Sequence, residues 1–204
     1  MTNSECSNAQ VFNLIQSRRT CYQFLDKYEY PVDNQKLQIC LQAATYAPNH
    51  KLTQPWFFWV IGDEFKKKLS HIYADNRASK KQAQTDDDCY QCFYDLAVEK
   101  FTKIPKVVLV GQNIASDPVV FKEDYAACAC AIQNFHLMAW QQSLGMQWST
   151  GAILEDPRTY ELLQIDPQNC SLIGALYLGN IDNKCQPKGV VNRKPVEQVT
   201  QFTL

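Results

Sequence analysis

The stretch that most constrains the fold is Asp124 to Gly151, DYAACACAIQNFHLMAWQQSLGMQWSTG. From Tyr125 to Leu144 it contains no Pro or Gly, and it carries apolar or small residues on nearly every side. A helix that is apolar all round must be buried. Such a run spans roughly 30 Å, the width of a small domain. The small residues from Ala126 to Ala131 would let another backbone come close. Gly145 stands where a left-handed residue closes a helix. Met146 to Ser149 then reads as extended, ending in a turn at Thr150-Gly151. A plain core helix followed by an ordinary loop fits the same residues.

The rest of the chain must cover that helix, and 204 residues suffice for one domain. Residues 1–8 and 197–204 read as peripheral arms. A formal charge of −1, with 20% charged and 46% hydrophobic residues, offers no electrostatic case for nucleic acid or an anionic membrane. The nine cysteines are odd in number, and two of them lie inside the central helix. They read as small hydrophobes of a reducing compartment rather than a disulfide framework. MTNSECSNAQ lacks the basic start and apolar run of a secretory signal, so the expectation is a cytoplasmic protein.

Along the chain, the spacing predicts helices over Asn8–Ser17, Asp33 to about Tyr46, Glu64–Tyr73, Cys89–Phe101 and Pro157–Leu163, the last capped by Asp156. Buried strands are expected at Trp56–Ile61, Lys106–Gly111 and Ser171–Gly179. The polar segment Ala74–Asp88 reads either as a solvated helix continuation or as a loop. Asn180–Leu204 reads as loop and holds Lys188, Arg193 and Lys194. Strands separated by helices make this α+β or α/β.

Two stretches could carry chemistry. Arg18-Arg19-Thr20 offers two guanidinium forks and a hydroxyl, the donors a phosphate needs, although adjacent arginines also suit the negative end of a helix dipole. Ala47–Trp56, APNHKLTQPW, is a stiff polar loop that presents His50, Lys51 and Gln54. Other features read as structural. Cys89 and Cys92 are taken as two helix-face cysteines, since no second Cys/His pair stands at zinc spacing. His136 is taken as a satisfied core or interface histidine, and Asp86–Asp88 as a solvated turn or cap rather than a metal site. Trp56, Phe57, Phe58 and Trp59 are taken as core. There is no GxGxxG or P-loop.

SRRTCYQF, AATYAPNHKLTQPWFFWVI, GMQWSTGAI, IGALYLG and NRKP follow one another as in the FMN-dependent nitroreductase family. The chain resembles that family from Val11 to Val196, and its APxHK loop is similar to the compact bacterial branch. The resemblance implies an α+β fold, a central, mostly antiparallel sheet flanked by helices, in an intertwined homodimer. It implies FMN in clefts between subunits, with Arg18, Thr20 and Arg193 on the phosphate and Arg19 and Thr20 near the ribityl chain. Tyr46, His50 and Gln54 would reach the other subunit's flavin, and Trp148, Ser149, Thr150 and Gly151 would line the ring. The implied activity is reduction of nitroaromatics, quinones or similar electrophiles with NAD(P)H as co-substrate. Exchange would be ping-pong through flavin N5, with nearby cations stabilising the reduced ring. No catalytic side chain and no metal is implied. A specialised dehydrogenating or reductive reaction of the same fold, or a non-catalytic flavin-binding protein, are the alternatives. The chain departs from the pattern at Tyr22, where many members carry a third arginine, and at Leu52, where Asn is frequent.

Overall fold

The computed structural model describes residues 8–84, 89–182 and 192–203. The elements run α1 (Asn8–Ser17), α2 (Asn34–Thr45), β1 (Trp56–Ile61), α3 (Asp63–Gln82), α4 (Tyr90–Thr102), β2 (Lys106–Asn113), α5 (Pro118–Gln141), β3 (Leu144–Ser149), α6 (Pro157–Leu163) and β4 (Cys170–Asn180). The strands form one sheet in the order β1-β2-β4-β3, and every pairing is antiparallel. The fold is α+β, as expected.

Local chemistry fixes the helix starts. Asp33, Asp117 and Asp156 sit before α2, α5 and α6, and each accepts from the backbone N–H two residues on, at 2.7, 2.8 and 3.0 Å. Pro118 and Pro157 then open α5 and α6, where a missing N–H costs nothing. Ser143, at φ 61°, is the left-handed residue after α5. That corrects the expectation for Gly145, which lies inside β3. Its glycine is required for another reason: a Cβ there would stand 2.8 Å from the Cys21 Cβ.

Period-two alternation gives the sheet two covered faces. Val108, Val110, Met146, Leu176 and Leu178 meet α2 and α5, where Cys40, Ala131, Ile132 and Phe135 are buried. Val107, Leu109, Ala175 and Tyr177 meet α3 and α4, where Leu69 and Phe101 are fully buried. The side of α5 turned to the sheet holds Ala127, Cys128 and Ala131. Its other side leaves Tyr125, Ala126 and Cys130 exposed in the single chain. Only part of the small-residue run is therefore core.

Ala74–Asp88 resolves into a continuation of α3 to Gln82; Asp86–Asp88 and Lys188 lie outside the described residues. One charge is buried to hold this layer: the Lys66 ammonium donates to the Ile104 carbonyl at 3.0 Å and pairs with Asp63 at 3.1 Å. It locks the start of α3 to the turn before β2. Cys89 and Cys92 are joined in a disulfide at the start of α4, which corrects their reading as separate helix-face thiols. Five described cysteines are free, and Cys21, Cys40, Cys128 and Cys170 among them are buried. No helix among the described residues is long and apolar enough to cross a membrane.

Candidate active site

After α1 the chain runs along the outer edge of β3. Thr20 bridges Met146 in parallel, the Cys21 N–H donates to the Met146 carbonyl at 3.0 Å, and Phe24 bridges Ile181. This brings the arginines to the sheet's edge beside α5. Arg18 is partly buried, and burial, then Arg193, then Arg19 lower its pKa. Arg19 and Arg193 are thus each close enough to repel Arg18, and among the described residues none of the three has a carboxylate partner. Like charges gathered without a counter-ion cost free energy unless an anion joins them. The cluster therefore fits a phosphate.

The two adjacent arginines do different things. The Arg19 guanidinium donates to the Gln16 carbonyl at 2.6 Å and the Arg18 carbonyl at 3.0 Å, capping the end of α1. Arg18 instead lies against His136 of α5, its Nη1 3.4 Å from both ring nitrogens. One donor cannot point in-plane at both, so the guanidinium lies over the imidazole face. The His136 Nε2 meets the Arg19 carbonyl at 3.2 Å. A carbonyl only accepts, so Nε2 carries a proton.

Burial first, and Arg18 second, lower the His136 pKa to about 4. A free histidine titrates near 6.5, so between about pH 6.5 and 4 the unfolded chain binds the extra proton. Stability from this group is complete above that window and is lost as pH falls through it, on the order of 2 kcal/mol. Urea melts at pH 7 and 4.5 should show His136→Gln losing less stability over this interval than wild type. Equal losses would contradict this assignment.

On the sheet face covered by α3 and α4, beside the same edge, lies a cavity of about 570 Å³. Ser149 and Gly151 line it together with Tyr22, Arg77 and Tyr177. Gly151 leaves backbone open here, since a Cβ on it would meet nothing nearer than the Ser149 Oγ at 3.7 Å. The Tyr177 ring packs edge-on against Phe101, with centroids 5.8 Å apart. Its hydroxyl is buried and has no hydrogen-bond partner among the described residues. Burial pushes the phenol up to about 12, an effect the nearby Ser149 only partly offsets. It stays protonated at neutral pH, with Ser149 near it but no hydrogen bond completed among the described residues. An orphaned buried donor is rare, and a ligand with polar atoms in this cavity would satisfy it.

Trp148 sits differently from its neighbours. Gln147 and Ser149 face the cavity, but the Trp148 side chain packs on the α5 side of the sheet, with its indole N–H toward the Ile173 carbonyl at 3.4 Å. Gly174 makes room for it, as a Cβ there would come within 2.5 Å of the indole nitrogen. The Trp148 side chain is therefore turned away from the cavity.

Tyr46, His50 and Gln54 are not near these groups in the same chain. Their loop packs at the start of α5, where Thr53 donates to the buried Asp124 at 2.8 Å and His50 lies 3.9 Å from Glu123. Glu123 and His136 are separated by roughly 20 Å of helix. The loop is strained: Lys51, Leu52 and Gln54 all adopt positive φ, at 51°, 56° and 44°. Non-glycine residues seldom do so, and such strain concentrates at functional sites.

Sequence reasoning missed Arg77, Lys80, Lys100 and Tyr177. Arg77 and Lys80 lie at i+4 and i+7 from Tyr73, within the polar segment left open between helix and loop. Tyr177 looks like one more buried strand aromatic, and only the orphaned hydroxyl distinguishes it.

The nitroreductase family model matches residues 15–180. The chain is 29% identical over 150 residues to the "Putative NAD(P)H nitroreductase YfhC" of Bacillus subtilis (strain 168), covering 73% of each. It is 29% identical over 146 residues to the "Putative NAD(P)H nitroreductase YdjA" of Escherichia coli (strain K12), covering 71% of this chain and 75% of the other. The crystal structure of a nitroreductase-like family protein from Bacillus cereus superposes with a TM-score of 0.79 at 27% identity, over 100% of this chain and 98% of the other. A Desulfovibrio desulfuricans structure in complex with FMN shares the fold, with a TM-score of 0.70 at 20% identity over 97% and 99% of the two chains. With the family model spanning most of the sequence and the sheet, edge segment and helices in place, the chain belongs to the nitroreductase family.

Proposed function

We propose that this protein is an NAD(P)H-dependent FMN oxidoreductase that reduces nitroaromatics, quinones or similar small electrophiles. The observation that carries the reading is the cluster of Arg18, Arg19 and Arg193 without a counter-ion among the described residues. Arg18 and Arg193 would hold the FMN phosphate, with Arg19 and Thr20 beside the ribityl chain. Ser149, Thr150, Gly151 and the Trp148 backbone would form the ring wall. Tyr177 would donate to a ring acceptor, and Arg77 would place positive charge at that end of the cavity. When bound, FMN supplies hydride and electron transfer between the nicotinamide and the acceptor. No side chain is assigned as an obligatory acid or base.

The site is read as completed by a second copy. Val11, Phe12 and Ile15 of α1 are about half exposed, at 48, 62 and 52%, and Tyr125 of α5 is 45% exposed. These apolar residues, with Ala126 and Cys130, form a surface suited to a two-fold contact. Tyr46, His50 and Gln54, too far from their own chain's arginines, would then serve the partner's flavin. The protein is read as one cytoplasmic domain.

The test is direct. Purified protein should be yellow, absorbing near about 450 nm with FMN released on denaturation, and should oxidise NADH or NADPH with nitroaromatics or quinones. A colourless chain that fails to take up added FMN overturns the reading. A yellow chain inert with the whole acceptor panel would leave flavin binding in place and remove the activity.

A further inference from the structure

A second hollow of about 420 Å³ adjoins the cavity, and the two share Tyr73, Arg77, Lys80 and Lys100. Together they make one groove between α3 and α4 that leads outward from the proposed ring site. Phe93, Leu96 and Ala97 line its apolar part. Among the described residues its charged lining is one-signed: Arg77, Lys80, Lys81, Lys100 and Lys103 border it, and no Asp or Glu does. Lys103 is paired with Glu99. Arg77 lies over the Tyr73 ring at 6.0 Å and has no carboxylate partner among the described residues. Lys80 and Lys100 likewise have no ion pair among the described residues.

A groove with aromatic walls and uncompensated cations at its mouth selects a molecule with a planar part and an oxyanion. The phosphate-sized cluster at Arg18 lies beside α5, across the sheet edge, so this second group of cations is separate from it. We propose that the groove recognises a carboxylate or phosphate carried by the molecule that exchanges electrons at the site, with Lys80 and Lys100 as the recognising pair. This rests on the flavin reading above. Two sources share the chemistry: a carboxylate on the electron acceptor, or the additional phosphate of NADPH.

The experiment uses the FMN-loaded full chain and two matched pairs. kcat/KM is measured for 4-nitrobenzoate against 4-nitrobenzamide with NADH, and for NADPH against NADH with the neutral acceptor. The anionic member of at least one pair should be favoured by roughly tenfold, the effect of a charge-assisted hydrogen bond at a partly exposed site. A preference in the first pair assigns the groove to the acceptor, and one in the second assigns it to the donor. The Lys80→Gln/Lys100→Gln double variant should bring the ratio close to one, and calorimetric Kd values should change in parallel. Both side chains are exposed, so folding does not depend on them. As a second measurement on unmodified protein, the preference should shrink as ionic strength rises past about 0.15 M. Ratios near one in both pairs, or a preference that the double variant retains, would overturn the proposal while leaving a yellow, active enzyme. A chain that binds no FMN would overturn the flavin reading and this proposal with it.

Discussion

Replacing Arg18 with alanine should weaken FMN binding by roughly 10- to 100-fold, the contribution of a charge-assisted contact to a phosphate. The fold should survive. Arg18 is repelled by Arg193 and Arg19 and lies on His136 without a carboxylate partner among the described residues, so its loss removes repulsion from the FMN-free protein. Thermal unfolding of that form should therefore be unchanged or slightly raised. Arg19→Ala should weaken FMN binding less, because the Arg19 guanidinium already bonds the Gln16 and Arg18 carbonyls. Flavin titration of both variants, monitored by fluorescence, decides the matter. Undiminished binding by Arg18→Ala would remove it from the phosphate site.

Phe135→Ala should be the most damaging single truncation to stability, costing about 3–5 kcal/mol. Phe135 is fully buried and stands in the core cluster that α5 forms with the sheet and α2. Ile132, Ala139, Leu176 and Leu178 occupy the same cluster, and a rigid helix and sheet cannot collapse into the space. For a chain of this size the cost corresponds to a fall in Tm of roughly 8–15 °C. A loss below about 1 kcal/mol in urea melts would show that this core is loosely packed. Because Phe135 precedes His136, flavin retention should also fall as the surface beneath Arg18 loosens.

Much of the architecture could be read from residues whose signal is local. The Asp caps before α2 and α6, the Pro after Asp156, and the β-branched and aromatic runs at Trp56 and Lys106 report their own conformation. The sites that resisted depend on distant partners. Ser143 rather than Gly145 turns left-handed because β3 begins early, and Gly145 is needed for the close approach of Cys21. Trp148 and Ser149 are neighbours in a motif, yet the pleat sends their side chains to opposite faces. The α3 continuation was ambiguous because a helix that is polar along most of its surface has little periodic signal. Its cations acquire meaning only when α4 lies beside them. The resemblance carried the arginines, but nothing in the sequence separates Arg18, resting on His136, from Arg19, turned back on its own helix.

β1 lies at the end of the sheet opposite β3, and its outer backbone has no partner strand among the described residues. Its sequence, WFFWVI, has no charge, proline or glycine, and Phe57 and Val60 are 44 and 43% exposed. An uncharged, aromatic, unprotected edge is a template for strand addition between molecules. Whatever loosens the helices over this strand therefore has a second effect beyond lost stability. Partly unfolded chains will tend to stack through β1, so for destabilised variants recovery from expression will be limited by aggregation rather than by equilibrium unfolding.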